Sequence, residues 1–215
     1  MKTDERNKFA IKSFLGEYLD LRKDKDNELA TVDSIRKGVE FKGANLWILI
    51  FAIFMASLGL NVNSTAVIIG AMLISPLMTP ILGVGFALAI LDIKLLKKSF
   101  KILFIQVAVS LLASTLYFLL SPISYASTEI ITRTSPTIWD VVIAFVGGLA
   151  GIIGARKKEA NNIVPGVAIA TALMPPVCTV GYSIATGNLE YMIGASYLFS
   201  INCSFIMITH ILALM

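Results

Sequence analysis

The residues best placed for chemistry are prolines and hydroxyl side chains in the middle of a long apolar run. Between Thr65 and Ala89 the chain reads TAVIIGAMLISPLMTPILGVGFALA, with no charged residue and with Pro76 and Pro80 near its centre. Proline has no backbone N–H and clashes with the carbonyl four residues earlier, so this pair predicts a break in one long helix. At membrane depth, freed backbone groups must be satisfied by protein or water. The stretch from Ser75 to Pro80 is therefore our first candidate site.

A similar run occurs 96 residues later and predicts an internal repeat. Residues 163–185 read IVPGVAIATALMPPVCTVGYSIA and align with residues 67–89 without a gap. Shared membrane composition is the alternative explanation, but the flanking apolar segments follow the same rhythm, which favours a repeat. The identical pairs are Gly70 with Gly166, Leu77-Met78 with Leu173-Met174, Pro80 with Pro176, Val84-Gly85 with Val180-Gly181, and Ala89 with Ala185.

In each repeat we expect a half-helix to start after the proline turn. Thr79 is the predicted N-cap, with Pro80 at the first helical position and Pro176 in the equivalent place. Helix N-termini carry partial positive charge and free N–H groups, so two of them meeting near the midplane would favour an anion or a neutral polar solute. The alternative is that the prolines only kink packed helices. The predicted pathway residues are Ser75, Pro76, Thr79, Pro80, Thr171, Pro175, Pro176 and Thr179.

The composition predicts an all-α polytopic membrane protein. Hydrophobic residues make up 56% of the chain and charged residues 15%, and the mean hydropathy is +0.80, which excludes an ordinary soluble domain. The apolar blocks predict six transmembrane helices, arranged as two three-helix repeats whose second helix is broken at prolines. The predicted spans are residues 44–60, 65–89, 100–120, 138–155, the run broken at Pro175-Pro176, and 191–215.

These spans divide the chain into four predicted parts. Residues 1–43 form cytoplasmic or interfacial amphipathic helices, since apolar side chains recur there at helical spacing among charged ones. Residues 44–121 form the first membrane repeat, 122–137 an extracytoplasmic loop with a short helix near Glu129, and 138–215 the second repeat. The last residues are still apolar at Met215, so we expect the native chain to continue.

The distribution of basic residues predicts the topology. All but Arg133 of the 18 Lys and Arg residues lie in the N-terminal segment, between Asp92 and Lys101, or between Arg156 and Glu159. Cytoplasmic segments carry such an excess, so both termini are expected on the cytoplasmic side of a prokaryotic inner membrane. Three spans per repeat then make the second repeat inverted relative to the first, as in many transporters.

Several classes of function are disfavoured. No carboxylate or basic side chain lies deep in a predicted span, which argues against a proton-driven pump, and acid–base pairs for an enzyme are missing. We expect no nucleic-acid partner, cofactor or metal site. Cys178 and Cys203 lie in predicted spans and are expected to be packing residues, and His210 an interfacial packing residue.

Three motifs resemble a known family. They are GLNVNSTAVIIGAMLISPLMTPILG from Gly59, LSPISYASTEIITRTSPTIWDVVIAFVGGLAG from Leu120, and VPGVAIATALMPPVCTVGY from Val164. In these, and from about Ile35 to the C-terminus, the chain is similar to the prokaryotic "uncharacterised hydrophobic domain" family of integral membrane proteins. The resemblance implies a membrane protein, and it supplies no activity and no catalytic residues.

Two functions follow from these patterns. The first is a channel or carrier for a small anion or polar solute, with a midplane site at the two broken helices. The second is a non-transporting membrane scaffold or sensor that binds a partner through the N-terminal helices. For either function we expect a homo-oligomer in the lipid bilayer, because six short spans form a small bundle.

Overall fold

The computed structural model describes residues 43–123, 125–155 and 173–214, and all regular structure in these ranges is helical. The predicted helices before residue 43, the Arg156–Glu159 loop, Thr171 and the first half of the fifth span lie outside the described residues. The helices are α1 (Gly43–Asn61), α2 (Thr65–Ile74), α3 (Met78–Ala89), α4 (Ile93–Leu120), α5 (Thr128–Thr132), α6 (Ile138–Ala155), α7 (Met174–Thr186) and α8 (Leu189–Leu214).

Three of these helices, α1, α4 and α8, are long and apolar enough to cross a membrane. The α2–α3 pair would make a fourth span, bent by 54° at its break. The apolar part of α6, Ile138–Ala150, is shorter than these spans. By length and composition, the described helices are those of a membrane protein, which agrees with the predicted class.

The predicted third span starts too late. The prediction begins this span at residue 100, whereas α4 begins at Ile93. Asp92 caps the helix there, because its carboxylate accepts the N–H groups of Lys94 and Leu95, each at 3.0 Å. The same happens before α8, where Asn188 Oδ1 accepts the N–H of Tyr191 at 3.1 Å. Hydropathy alone misses these first turns, since a capped helix extends beyond its apolar part.

The surface of α4 has the polarity expected in lipid rather than in water. Its exposed side chains are large and apolar: Phe104 is 75% exposed and Leu112 67%. Its buried face carries Ser99, Gln106 and Ser110 among apolar neighbours. Apolar side chains face outwards and polar ones inwards, as in bundles surrounded by hydrocarbon.

Helices separated by 96 residues begin at equivalent positions. Met78 and Met174 start α3 and α7, and Ile93 and Leu189 start α4 and α8. The buried faces of the two long helices correspond as well. The buried residues Ser99, Ile102, Gln106, Ser110, Ala113 and Ser114 of α4 match, at the same offset, the buried Ala195, Leu198, Asn202, Ile206, Thr209 and His210 of α8.

The second half of each broken run packs against the long helix of the other part of the chain. α3 contacts α8, and α7 contacts α4, in addition to their sequence neighbours. Glycines allow this close approach: a Cβ atom at Gly85 would lie 2.8 Å from the Cβ of His210, and one at Gly181 would lie 2.8 Å from that of Ser114. These two glycine contacts are themselves related by the 96-residue offset.

The connection after α4 is tied to the end of α1. The hydroxyl of Ser127, which caps α5, donates to the backbone carbonyl of Leu60, and Asn61 Nδ2 donates to Ser121 Oγ at 2.5 Å. Glu129 accepts from Arg133 at 2.9 Å within this connection. The short helix expected near Glu129 is thus present as α5.

Candidate functional site at the two helix breaks

The first break lies between Ile74 and Met78, inside the predicted stretch. Ser75 has φ −73° and ψ 129°, an extended conformation that ends α2. A proline disfavours the helical conformation in the residue before it, so Pro76 explains why Ser75 leaves the helix. The break is therefore set by Pro76, while Pro80 lies in the first turn of α3, where proline is tolerated.

The predicted caps are wrong by two residues in both repeats. α3 begins at Met78 with Leu77 as its N-cap, so Thr79 is not the N-cap and Pro80 is not the first helical residue. α7 begins at Met174 with Leu173 as its N-cap. Leucine has no side-chain oxygen for capping. Both helices start where the chain turns, and the repeat alignment, rather than cap preference, identifies the equivalent starts.

The first break and the start of α7 meet in space. A small cavity, about 10 Å³ in volume, lies between them. Its walls come from the end of α2, the first break and the start of α7, and they are formed by Met72, Ser75, Leu77, Met78, Leu173 and Met174. Such a volume holds about one water molecule, and the hydroxyl of Ser75 is its polar side chain.

The other predicted pathway residues that the structure describes do not line this cavity. Pro76 and Thr79 are half-buried beside the first break, and Pro80 is buried. Pro175 and Pro176 are buried in the first turn of α7. Thr179 is fully buried farther along α7, and no partner for its hydroxyl is found among the described residues. Of the predicted set, the structure places Ser75 at the junction itself.

The helix N-termini at this junction offer few free N–H groups. The N–H of Leu77 donates to Ser75 Oγ at 3.4 Å, and that of Thr79 donates to the carbonyl of Pro76 at 3.3 Å. Pro80, Pro175 and Pro176 have no N–H at all. Prolines in the first turns of α3 and α7 thus remove donors that an anion would need, so the junction suits a neutral polar molecule better.

The helix dipoles at the first break also favour a neutral molecule over an ion. The cavity is lined both by the C-terminal end of α2, through Met72 and Ser75, and by the N-terminal end of α3, through Leu77 and Met78. A helix C-terminus carries partial negative charge and an N-terminus partial positive charge. The two ends of the bent pair therefore offset each other, and the N-terminus of α7, which also lines the cavity, lacks the N–H groups of Pro175 and Pro176.

Sequence reasoning missed the polar residues buried on the long helices. Gln106 is 2% exposed and Asn202 is 3% exposed, and they occupy equivalent positions of α4 and α8. The signal for this pair was available: extending the 96-residue alignment past Ala89 brings Gln106 opposite Asn202. A single amide side chain in an apolar helix does not by itself indicate a functional residue. An amide at the same position of both long helices does, once the two sequences are aligned.

The remaining side chains that could take part in a reaction or bind a metal are buried and packed. Cys178 and Cys203 are buried free thiols in apolar clusters, as expected for packing residues. His210 is buried, at 2% exposed, and its Nδ1 lies 2.9 Å from the carbonyl of Ile206. Its Cβ packs so closely against Gly85 that a Cβ atom at residue 85 would lie 2.8 Å from it. Among the described residues, no cluster of His, Cys, Asp or Glu could hold a metal ion.

Comparison with known proteins gives a family without an assigned activity. Residues 72–208 match the family described as a domain of unknown function (DUF389). The chain is also 31% identical, over 158 residues, to the uncharacterized protein MJ0678 of Methanocaldococcus jannaschii. That alignment covers 74% of this chain and 49% of the relative, so the chain spans about half the length of the archaeal protein. No solved structure matches significantly.

The matched region contains the first helix break, the start of α7 and both long helices. It runs from Met72, at the end of α2, to Ile208, near the end of α8. The family match therefore covers the junction, its cavity and the buried Gln106 and Asn202. By this match the chain belongs to the DUF389 family of proteins of unknown function.

Proposed function

We propose that this protein is a membrane transport protein, a channel or carrier, whose pathway for a small anion or polar solute passes between the two helix breaks. The observation that carries the proposal is the contact between the first break and the start of α7. Ser75 and Leu77 share one cavity with Leu173 and Met174, although the two segments are 96 residues apart in the chain. Broken helices with their ends at one midplane junction are a common way to build a solute site in transporters.

A common offset of 96 residues supports this proposal. The helix starts, the buried faces and the reciprocal packing of α3 on α8 and α7 on α4 all follow the same offset. With basic residues concentrated on one side, six spans would place both termini in the cytoplasm of a prokaryote and invert the second repeat. A homo-oligomer would shield the remaining small-residue faces of so small a bundle.

The described conformation is a closed one in this proposal. A cavity of about 10 Å³ holds about one water molecule, so passage requires the two breaks to separate. The bent pair suits such a movement, since Ser75 already lies outside both helices and the 54° bend can open or close there. A small neutral polar solute fits the donors that remain at the junction better than an anion.

The small volume of the cavity also favours a second candidate, the non-transporting scaffold or sensor. Leu77 and Met78 are only 2% and 3% exposed, and the lining is mostly apolar. A scaffold needs no aqueous path, and it would bind its partner through the N-terminal segment. The two candidates differ in whether water ever reaches the junction.

Cysteine accessibility at the junction is the experiment that separates the candidates. Cys178 and Cys203 are first replaced by alanine, because both are free thiols. We expect Ser75→Cys and Thr79→Cys to react with a water-soluble thiol reagent in native membranes, since the pathway must admit water when it opens. Ala71→Cys is the matched control, one turn before Ser75 on α2 and fully buried in the core.

The relative rates at which the three cysteines react with the thiol reagent distinguish the two candidate functions. Reaction at Ser75→Cys and Thr79→Cys but not at Ala71→Cys supports a pathway. Equal resistance of all three sites would contradict transport through the junction and favour the scaffold. The same reconstituted variants, blocked by the reagent, should also lose flux of glycerol or urea from proteoliposomes.

Cysteine labelling from each side of the membrane is expected to report the inverted topology. Val62 and Tyr125 are exposed near the α1–α2 turn and the α5 connection, so cysteines there should react from outside intact cells. Cysteines at Lys97 or Lys157 should react only after permeabilisation. If Val62→Cys and Lys157→Cys were modified from the same side, the repeats could not be inverted.

A further inference from the structure

A stripe of polar side chains runs along the buried face of α4. Ser99, Gln106, Ser110 and Ser114 are spaced by seven, four and four residues, which places them on one side of the helix. All four are buried, with exposed fractions between 0% and 2%. We call these four residues the polar stripe. It extends over roughly 22 Å of helix, most of a membrane thickness.

The stripe passes the junction of the breaks. Leu103, one turn before Gln106, packs against the cluster that contains Met78 and Leu173, and both of these residues line the junction cavity. At its far end the stripe lies against α7, where Gly181 approaches Ser114 so closely that a side chain could not be added. The stripe therefore runs beside the predicted pathway.

The stripe contains more hydrogen-bonding capacity than the described protein uses. Ser110 Oγ donates to the carbonyl of Gln106 at 2.7 Å, and Ser114 Oγ lies 3.3 Å from the carbonyl of Leu111. Within the described part of the chain, Ser99 Oγ and Gln106 Oε1 have no hydrogen-bond partner, and nor does Thr179 Oγ1 on the facing α7. Buried groups without partners are costly, and in a membrane span such residues most often serve a substrate path.

The long helix of the second repeat carries the matching group. Asn202 of α8 is equivalent to Gln106 of α4, is 3% exposed, and neighbours Cys203 in the same junction cluster. A carboxamide has both donors and an acceptor and has no charge. Since the stripe and Asn202 contain no carboxylate or basic group, they complement an uncharged molecule that both donates and accepts hydrogen bonds.

We propose that the polar stripe of α4, with Asn202, forms a hydrogen-bonding track for a small uncharged solute of the polyol or amide type. The proposal rests on the proposed function, because it identifies the solute class for the same pathway. In this arrangement Gln106 is the central group, and the hydroxyls of Ser99 and Ser110 exchange hydrogen bonds with the solute on either side of it.

The flux test uses glycerol, urea and chloride with reconstituted protein. Wild-type protein should raise glycerol and urea permeability above that of protein-free vesicles and leave chloride permeability unchanged. Gln106→Leu removes the carboxamide at similar volume and should lower those fluxes by roughly tenfold or more, as loss of one buried hydrogen bond does. Gln106→Asn keeps the carboxamide and should retain most of the flux.

A folding defect is distinguished by thermal unfolding. Gln106→Leu should unfold at the same or a higher temperature than wild type, since it removes an unpaired buried group. Wild-type flux in the Gln106→Leu protein would overturn the track, and so would conduction of chloride without glycerol or urea.

A labelling test of the track does not depend on flux. In the background without native cysteines, Ser110→Cys should react with a small neutral thiol reagent faster than Ala113→Cys. Ala113 is the more exposed of the two, at 8% against 0%, so faster reaction at residue 110 requires access along the stripe. An unreactive Ser110→Cys would overturn the track even if the protein transports a solute by another route. A reactive Ser110→Cys in protein that conducts nothing would support the track and contradict the transport function.

Discussion

Replacing Gly181 with alanine should lower the melting temperature of the purified protein by several degrees. The added Cβ atom would lie 2.8 Å from the Cβ of Ser114 and 3.0 Å from the backbone nitrogen of Thr115. The backbone of α4 cannot rotate away as a flexible side chain could, so α7 must shift. Overpacking of this kind costs about 1–3 kcal/mol. Thermal unfolding in detergent, followed by circular dichroism, measures the loss.

Gly70→Ala is the matched control. Gly70 lies within α2, and a Cβ atom there would meet no other atom within 4 Å. Alanine favours a helix over glycine by about 0.5–1 kcal/mol, so this variant should be slightly more stable than wild type. Gly85→Ala should resemble Gly181→Ala, because its Cβ would collide with His210. Equal stability of the Gly70 and Gly181 variants would contradict the close packing of α7 on α4.

The double substitution Pro76→Ala/Pro80→Ala should straighten the bent pair. Pro76 keeps Ser75 extended, and Pro80 cannot donate to the carbonyl of Pro76, so both obstacles to a continuous helix disappear together. Spin labels at Ala66 and Leu88, which are exposed, report the change. A continuous helix would separate these two Cα atoms by about 33 Å, and the 54° bend makes the wild-type distance shorter.

Straightening the bent pair should lower solute flux without lowering the stability of the protein. Ser75 and Leu77 would leave Leu173 and Met174, so glycerol or urea flux should fall by roughly tenfold or more, the effect expected for losing a site worth over 1 kcal/mol. The melting temperature should stay equal or rise, because helix-breaking residues have been removed. Pro122→Ala, in the exposed loop after α4, is the control and should change neither quantity. Lower stability with unchanged flux per folded protein would show that the prolines only shape the packing.

The sequence predicted those features that are set by local sterics. A proline lacks a backbone N–H and restricts the conformation of the residue before it, so the break at Ser75 could be placed from the chain alone. The caps could not: cap preferences favour Thr79, yet α3 starts two residues earlier because the turn after Pro76 already gives Leu77 a helical conformation. The N-cap preference of a residue has little effect where a neighbouring proline already fixes the backbone conformation.

The buried polar residues were missed for a different reason. Ser110 and Gln106 look unremarkable in an apolar helix, because their burial depends on the other helices packed against α4, among them α7, which follows much later in the chain. Helical periodicity shows that they share a face but not that the face is covered. The repeat alignment supplies the missing information only when it is extended to the two long helices.

The reciprocal packing of α3 on α8 and α7 on α4 has a consequence for biogenesis. A nascent chain that has been synthesised only as far as Leu120 contains α4, but α7, whose Gly181 packs against Ser114, has not yet been translated. Until then, Ser114 lacks this cover, an arrangement that hydrocarbon disfavours. Neither half is a finished folding unit, so a truncated chain is a substrate for membrane quality control, and the ribosome must complete the second half before the first becomes stable.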